Sequence, residues 1–337
     1  MADLLGLPPF QPRPPWWGAD LQTLRGTLRG PRFPVDRGEP HPIPIGAGEQ
    51  LLALVDRPAT AEPRALVLLL HGLGGSSQAT GVRRLALALQ EAGYAVLRLN
   101  LRGAGAGRSL AAGTYAARCT GDLAPALLWA RQLAAGRPLF GVGFSLGGTV
   151  LLNTVLDPGP PSPLLDGLVA ISSPLDLAGC SAAIGLPRNR LYERWLLRSL
   201  CRQTLADGRG LSAAERLGLS QVGSIRGFDT LITAPRWGFA SVDDYYARAS
   251  PLPQLQGSSP LLPPSLLIQA LDDPWVPAAA AVALAGRQPA LPGLEVVLTP
   301  GGGHNGFHAP GGSWSDQLTL EWLRQQLEGQ PVQTACA

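Results

Sequence analysis

Short runs of apolar residues alternate along most of the chain with segments of helical period. The apolar runs predict six buried strands, at Ala65–Leu70, Ala95–Leu99, Leu139–Phe144, Gly167–Ser172, Ser265–Gln269 and Leu294–Leu298. The helical patterns lie at Gln78–Ala92, Asp122–Ala135, from Leu146 onward, Ala278–Leu284 and Ser315–Leu327. Continuous apolar strands separated by helices indicate a mostly parallel sheet that helices cover on both faces.

The alternation stops between about Pro174 and Pro260, where helical fragments, aromatic residues and polar turns replace the apolar runs. We therefore predict a helical cap or lid at residues 175–255, inserted into a core formed by residues 46–174 and 256–337. Residues 1–45 are rich in proline and aromatic side chains. Since proline disfavours helix, we expect them to form an extended arm packed on the body.

Composition narrows the classes of function. Hydrophobic residues make up 45% of the 337 positions and charged residues 15%, which favours a folded chain with a sizeable core. Every basic residue is arginine, so the sequence excludes Schiff-base chemistry on lysine and the lysine of a P-loop ATPase. The net charge of +3 is dispersed, which argues against a nucleic-acid surface.

Four cysteines lie far apart, at Cys119, Cys180, Cys201 and Cys336, and no CxxC pair exists. We expect free thiols in a reducing compartment. The first residues, Met1–Gly6, lack the basic start of a signal peptide, and no apolar stretch is long enough to span a bilayer. The expectation is a cytoplasmic, soluble protein, with peripheral membrane contact left open.

The segment Gly143-Phe144-Ser145-Leu146-Gly147 fits the pattern G-x-S-x-G. In enzymes with this pattern, a sharp turn between a strand and a helix lifts a serine above the sheet. The alternative is a glycine-rich turn with a helix-capping serine. Because the segment follows a predicted strand and opens a predicted helix, we interpret Ser145 as a nucleophile.

A second glycine-rich segment, His71-Gly72-Leu73-Gly74-Gly75-Ser76, directly follows the first predicted strand. Oxyanion donors in such enzymes are backbone N–H groups, one after the nucleophile and one in a loop after an early strand. The candidates here are Leu73 and Leu146. The loop could instead hold a phosphate, but no Rossmann or Walker pattern accompanies it. His71 precedes the nucleophile, and we expect it to order the loop.

The catalytic base should follow the nucleophile and an acid in the chain, which leaves His304 and His308. His304 follows the last predicted strand on a glycine-rich loop, so we predict that it is the base and that His308 is a neighbour. The two also form H-x-x-x-H, but neither the helix nor the glutamate of a zinc motif is present, so we predict no metal.

The acid should lie after the strand Ser265–Gln269, where Asp272 and Asp273 are adjacent. One of them could be a turn or capping residue. We favour Asp273, because Val276-Pro277 follows it with the D-x-x-V-P spacing, and keep Asp272 as the alternative. The acid would hold the imidazole in the productive tautomer.

Further motifs surround these candidates. They are Asp20-Leu21-Gln22-Thr23-Leu24, Asn100-Leu101-Arg102-Gly103-Ala104-Gly105, Phe228–Pro235, Gly238-Phe239 and Asp244-Tyr245-Tyr246 through Ser250. Together with the serine, histidine and glycine segments, they resemble the YheT-like branch of the α/β-hydrolases, family four of the AB hydrolases. The resemblance extends over nearly the whole chain.

This resemblance implies the α/β-hydrolase fold and a carboxylesterase-like enzyme that acts on acyl esters without a cofactor. The family's nucleophile would be Ser145, its base His304 and its acid one of the Asp272–Asp273 pair. Relatives include acylglycerol lipases and yeast enzymes that make and cleave medium-chain ethyl esters. Eukaryotic relatives carry a transmembrane N-terminus, which we do not expect here. An acyltransferase, a thioesterase or a non-catalytic binding module on the same fold are the alternatives.

A stripe of arginines recurs every four residues in the predicted cap, at Arg190, Arg194, Arg198 and Arg202, with Trp195 beside it. This spacing predicts an amphipathic helix. The stripe could rest on anionic lipid, with the tryptophan at the level of the headgroups. The alternative is a solvated face of the cap.

Overall fold

The computed structural model describes residues 6–60, 62–157, 159, 164–207, 210–257, 262–287 and 291–329. Residues 1–5, most of the segment considered for a signal peptide, and Cys336 lie outside these ranges. Cys119, Cys180 and Cys201 are free thiols, as predicted.

An eight-stranded sheet forms the centre of the molecule. Its strands are β1 (Glu39–Gly46), β2 (Glu49–Asp56), β3 (Leu66–Leu70), β4 (Ala95–Asn100), β5 (Leu139–Phe144), β6 (Gly167–Ile171), β7 (Ser265–Ala270) and β8 (Leu294–Thr299). The spatial order is β1-β2-β4-β3-β5-β6-β7-β8. Strand β2 is antiparallel to both of its neighbours, and the six strands from β4 through β3 to β8 are parallel to one another. A short pair, β9 (His308–Ala309) and β10 (Gly312–Ser313), lies apart from this sheet.

The helices, in chain order, are α1 (Ala19–Leu28), α2 (Thr80–Glu91), α3 (Thr120–Ala134), α4 (Leu146–Val155), α5 (Leu177–Ile184), α6 (Arg190–Leu205), α7 (Ala213–Gln221), α8 (Ile225–Phe228), α9 (Ala234–Arg236), α10 (Val242–Ala249), α11 (Leu252–Leu255), α12 (Ala279–Ala285) and α13 (Trp314–Gly329). Helices α3, α4 and α12 cover one face of the sheet, and α2 and α13 cover the other.

Strand β3 shows why the apolar runs are continuous. Leu66, Leu68 and Leu70 pack in the cluster beneath α3 and α4, whereas Val67 and Leu69 pack in the cluster beneath α2 and α13. Successive side chains of a strand point to opposite faces, so a strand buried on both faces has to be apolar at every position. The six predicted strands are confirmed to within a residue or two at each end.

The sequence reading missed the hairpin β1–β2. Prolines at positions 40, 42 and 44 argue against a strand, because proline cannot donate a ladder hydrogen bond. They pair with Leu54, Leu52 and Gln50, on alternate positions of a strand at the edge of the sheet. At such positions the missing N–H faces away from the neighbouring strand, so the prolines are tolerated.

The prediction that residues 1–45 are extended is wrong at Ala19–Leu28, which form α1. The segment from Glu39 onward is extended and forms β1 of the sheet. The prolines lie before and after α1 and none lies inside it, so they do not oppose the helix. Phe10 of the same segment is buried against Phe307 and Trp314.

Between β6 and β7, the described residues form helices α5 to α11 and no strand. The helices enclose a small core of their own, formed by Leu197, Leu200, Leu219, Phe228 and Ile232, with Leu73 packed against it. The bounds 175–255 for a cap stay a prediction.

A π-helical turn at Asp229–Thr233 lies inside this helical region. The Asp229 carboxylate accepts hydrogen bonds from the Thr233 hydroxyl at 2.7 Å and the Tyr246 hydroxyl at 2.9 Å. Burial raises the pKa of Asp229 to about 6. The segment Phe228–Pro235 therefore contributes both apolar and polar packing within the helical region.

Candidate active site

Ser145 occupies the turn between β5 and α4. Its backbone has φ 52° and ψ −125°, outside the regions that non-glycine residues ordinarily adopt. The Ser145 N–H donates to the carbonyl of Ile171 at 2.8 Å, which fixes the turn to the neighbouring strand β6. A strained serine held by its surroundings at a strand end is typical of a nucleophile turn.

The glycines on either side of Ser145 are required by close backbone contacts. A Cβ on Gly143 would overlap the backbone of Gly148, and a Cβ on Gly147 would lie 2.7 Å from the carbonyl oxygens of Leu70 and His71. These glycines let helix α4 approach strands β5 and β3 closely. The spacing G-x-S-x-G thus follows from packing around the turn.

His304 and Asp273 complete a chain of hydrogen bonds that starts at Ser145. The Ser145 Oγ lies 2.9 Å from His304 Nε2, and His304 Nδ1 lies 2.9 Å from Asp273 Oδ2. The side chain of Asp273 is 0% exposed and that of His304 is 4% exposed. With the proton on Nδ1 donated to the carboxylate, Nε2 is free to accept the serine proton.

The two aspartates have different partners. Asp273 Oδ1 accepts from the N–H groups of Trp275 at 2.9 Å and Val276 at 3.0 Å, which aims Oδ2 at the imidazole. Asp272 Oδ1 instead accepts from the N–H of Gly303 at 2.8 Å. Burial raises the pKa of Asp272. Asp273 therefore contacts the imidazole, and Asp272 holds the loop that carries it.

The loop after β3 lies directly against the serine. A Cβ on Gly72 would be 3.0 Å from the Cβ of Ser145. The next residue, Leu73, and the first residue of α4, Leu146, have backbone N–H groups that are paired with no acceptor among the described residues. Unpaired N–H groups at the start of a helix and in a loop beside it are suited to hold a negative oxygen.

Buried side chains hold this loop in place. The hydroxyl of Tyr115 accepts from the N–H of Gly74 at 2.8 Å and donates to the carbonyl of Gly72 at 3.2 Å. His71 Nδ1 lies 2.8 Å from the same carbonyl, and His71 Nε2 accepts from the N–H of Leu101 at 3.2 Å. Burial lowers the pKa of His71 to about 4, so the ring is neutral and orders the loop.

Sequence reasoning missed Trp275, which stacks on the imidazole of His304 with ring centroids 4.4 Å apart. The feature of the sequence that could have identified Trp275 is its position two residues after Asp273. Trp275 in turn contacts Tyr192 of α6. On the same helix, the Ser199 hydroxyl and the Gln203 amide both donate to the carbonyl of Gly74. Helix α6 therefore contacts both the imidazole's stacking partner and the loop beside the serine.

His308 stands apart from the serine. Its Nδ1 lies 3.4 Å from Arg25 Nη1. Burial, together with the positive charges of Arg25, Arg84 and Arg13, lowers the pKa of His308 to about 3. Among the described residues, no three histidine, cysteine or carboxylate side chains are grouped so that they could hold a metal ion.

No helix within the described ranges is both long and apolar enough to cross a lipid bilayer.

Comparison with known proteins identifies the family of the chain. A model of the alpha/beta hydrolase family matches residues 67–313. The Escherichia coli (strain K12) protein named "Putative esterase YheT" is 31% identical over 286 residues, 82% of this chain and 82% of that protein. The Mus musculus protein named phospholipase ABHD3 is 31% identical over 262 residues, which are 77% of this chain and 62% of that protein.

The fold is also found among solved structures. The Pyrococcus furiosus esterase Pf2001 matches with a TM-score of 0.59 at 16% identity, covering 96% of this chain and 99% of that one. The predicted fold class is confirmed, with a mostly parallel sheet between flanking helices.

Proposed function

The chain belongs to the alpha/beta hydrolase family, in its YheT-like branch, and on that premise we propose that it cleaves carboxylic esters through an acyl-enzyme on Ser145. Relatives named esterase and phospholipase support carboxylic ester hydrolysis as the activity. In the proposed assignment, His304 is the general base and Asp273 its acid partner. Leu73 and Leu146 supply the oxyanion donors.

One observation carries the proposal: the hydrogen-bonded chain from Ser145 Oγ through His304 to Asp273, with both contacts at 2.9 Å. If these three residues only stabilised the fold, their hydrogen-bonded series would not need to start at a strained serine beside unpaired N–H groups. Nucleophile, base, orienting acid and oxyanion donors in mutual contact are the parts that acyl transfer needs.

The steps follow from these positions. As Ser145 Oγ attacks the ester carbonyl, its proton moves to His304 Nε2, and the carbonyl oxygen becomes an oxyanion on the two N–H groups. The alcohol leaves with the proton returned by the imidazolium, and the acyl group stays on the serine. Water then attacks the acyl-enzyme with His304 again as base, releasing the acid and free Ser145. A second alcohol in place of water would give acyl transfer.

We propose short- to medium-chain acyl esters or acylglycerols as substrates, and the name phospholipase for one relative supports an ester of a lipid. The experiment is a series of p-nitrophenyl esters from acetate to palmitate, with Ser145→Ala as the control. Labelling by a fluorophosphonate probe tests the nucleophile directly. A chain that neither hydrolyses any ester nor takes the probe would be a binding module. Preference for thioesters, or for an added alcohol over water, would indicate a thioesterase or an acyltransferase.

We also propose that the outer face of α6 contacts anionic lipid. Four exposed arginines lie along it, and no carboxylate among the described residues pairs with them: Arg190, Arg194, Arg198 and Arg202. Leu191 is 78% exposed and Trp195 is 55% exposed on the same helix. Cations next to exposed apolar side chains match a surface of phosphate headgroups over acyl chains. The opposite face of α6 contacts Trp275 and the loop beside the serine, so lipid on the outer face would be separated from the active site by this one helix.

Sedimentation with vesicles tests this contact. We expect binding to phosphatidylcholine vesicles that contain phosphatidylglycerol, lost at high salt and in the Arg194→Gln/Arg198→Gln variant. The matched control is Arg29→Gln/Arg32→Gln, which removes two exposed charges elsewhere. If the wild-type protein does not bind anionic vesicles at low salt, the arginine stripe is a solvated face.

A further inference from the structure

The N-terminal helix α1 carries the motif Asp20-Leu21-Gln22-Thr23-Leu24, to which the proposed reaction gives no role. The helix lies against the loop at residues 300–308, which brings His304 to the serine. A Cβ on Gly303 would lie 2.7 Å from the Thr23 hydroxyl, and a Cβ on Gly306 would lie 2.6 Å from the carbonyl of Gln22. The glycines of the loop thus let it contact α1 at backbone distance.

Side-chain oxygens of α1 accept from two backbone N–H groups of this loop. The N–H of His304 donates to Thr23 Oγ1 at 2.9 Å, and the N–H of His308 donates to Gln22 Oε1 at 2.7 Å. The amide of Gln22 returns a bond to the carbonyl of His308 at 3.2 Å. Helix α1 therefore binds the loop at its first and last histidine, on either side of the turn.

Two further bonds come from the core of the fold. Gly303 donates to Asp272, and Asn305 donates to the hydroxyl of Ser172 at 3.2 Å, so the N–H groups on either side of His304 are held by residues that follow β7 and β6. The N–H of His304 itself has one acceptor among the residues that the structure describes, the Thr23 hydroxyl of α1. His304 is 6% exposed, so without Thr23 this donor would be buried and unpaired.

The same helix reaches α6. Asp20 accepts from the hydroxyl of Tyr192 at 2.9 Å and pairs with Arg188 at 3.3 Å. Tyr192 contacts Trp275, and Trp275 stacks on the imidazole of His304. The backbone of His304 and the face of its ring are thus both connected to α1.

We infer that α1 is a positioning element for the proposed base, in which the Thr23 hydroxyl fixes the backbone of His304 and Gln22 fixes the far end of its loop. This inference rests on the proposed function. Neither side chain touches a reacting atom. Their effect passes through the imidazole, which must lie within hydrogen-bond reach of both Ser145 and Asp273. A displaced ring slows the chemical step and leaves ester binding unchanged.

The test compares four variants with the wild-type protein in hydrolysis of p-nitrophenyl butyrate, well below their unfolding temperatures. Thr23→Val removes the acceptor and keeps the shape, and we expect kcat to fall about 10- to 100-fold with KM unchanged. Thr23→Ser restores the hydroxyl and should recover most of kcat. Thr27→Val makes the same substitution at an exposed position of α1 and should match wild type. Ser145→Ala tests the proposed function in the same assay.

The outcomes are distinct. If Ser145→Ala is inactive and Thr23→Val has the kcat of Thr27→Val, the positioning role is refuted while the proposed function stands. If Thr23→Ser is as slow as Thr23→Val, packing and not the hydroxyl is responsible, and the inference is again refuted. If Ser145→Ala is as active as wild type, the proposed function is refuted, and the positioning role that rests on it is refuted with it. Should Thr23→Val not fold, Gln22→Glu, which keeps an acceptor for His308 but loses the donor, must show the same selective fall in kcat.

Discussion

Replacing one carboxylate of the Asp272–Asp273 pair by an amide should separate their roles. In Asp273→Asn, the N–H groups of Trp275 and Val276 select the amide oxygen at the position of Oδ1. The NH₂ group then takes the position of Oδ2, 2.9 Å from His304 Nδ1, and donates to it. The imidazole proton is forced onto Nε2, which faces Ser145 and can no longer accept a proton.

The expected loss in kcat for Asp273→Asn is about 10³- to 10⁴-fold, because the wrong tautomer has to be corrected in every turnover. Asp272→Asn keeps an oxygen for the N–H of Gly303 and replaces a charge-assisted bond by a neutral one. Its loss should be within about fivefold. Initial rates on p-nitrophenyl butyrate measure both, with thermal unfolding as the control for folding. A wild-type rate in Asp273→Asn together with a crippled Asp272→Asn would reverse the assignment.

Three further perturbations follow from the described contacts. Ser145→Ala and His304→Ala should each lower the ester rate by several orders of magnitude, and the double variant should be scarcely slower, because the two act as a unit; additive losses would contradict this. Trp275→Ala should lower kcat about tenfold by freeing the face of the imidazole, and Trp275→Phe should lower it less; equal rates in wild type and Trp275→Ala would show that the stack is dispensable. Burial raises the pKa of Asp229 from its ordinary 3.8 to about 6. The folded protein therefore binds this proton more tightly than the unfolded chain, and the stability gained in this way is present below about pH 4 and is lost as the pH rises through 6. Over that window the unfolding free energy of wild type should fall by up to about 3 kcal/mol relative to Asp229→Asn in urea titrations, and parallel pH curves would refute the linkage.

The parts of the fold that the sequence predicts are those that depend on local pattern. A strand buried on both faces must be apolar throughout, so Leu66–Leu70 is recognisable without its neighbours. The turn at Ser145 is recognisable because close packing fixes the glycines on both sides of the serine, Gly143 against the backbone of Gly148 and Gly147 against the end of β3, so the pattern G-x-S-x-G stands within five residues of sequence. The chain order of serine, acid and histidine then points to the two loops that the structure brings together at Ser145.

The parts that could not be predicted depend on partners distant in the chain. Thr23 and His304 are 281 residues apart, and no local pattern marks a threonine as an acceptor for a distant loop. Between Asp272 and Asp273, the sequence offered only spacing. The choice of partner is made by the N–H groups of Trp275 and Val276, whose directions arise from the folded turn.

The prolines of β1 have a consequence for how the protein behaves among other proteins. A sheet ends in a strand whose outer N–H and C=O groups can pair with a strand of another molecule, which is a route to aggregation. On the outer side of β1, positions 40, 42 and 44 have no N–H to donate, so another chain cannot form a continuous ladder there. Replacing the three prolines by threonine or valine would leave the hairpin register intact. It would also create an edge able to recruit a second molecule.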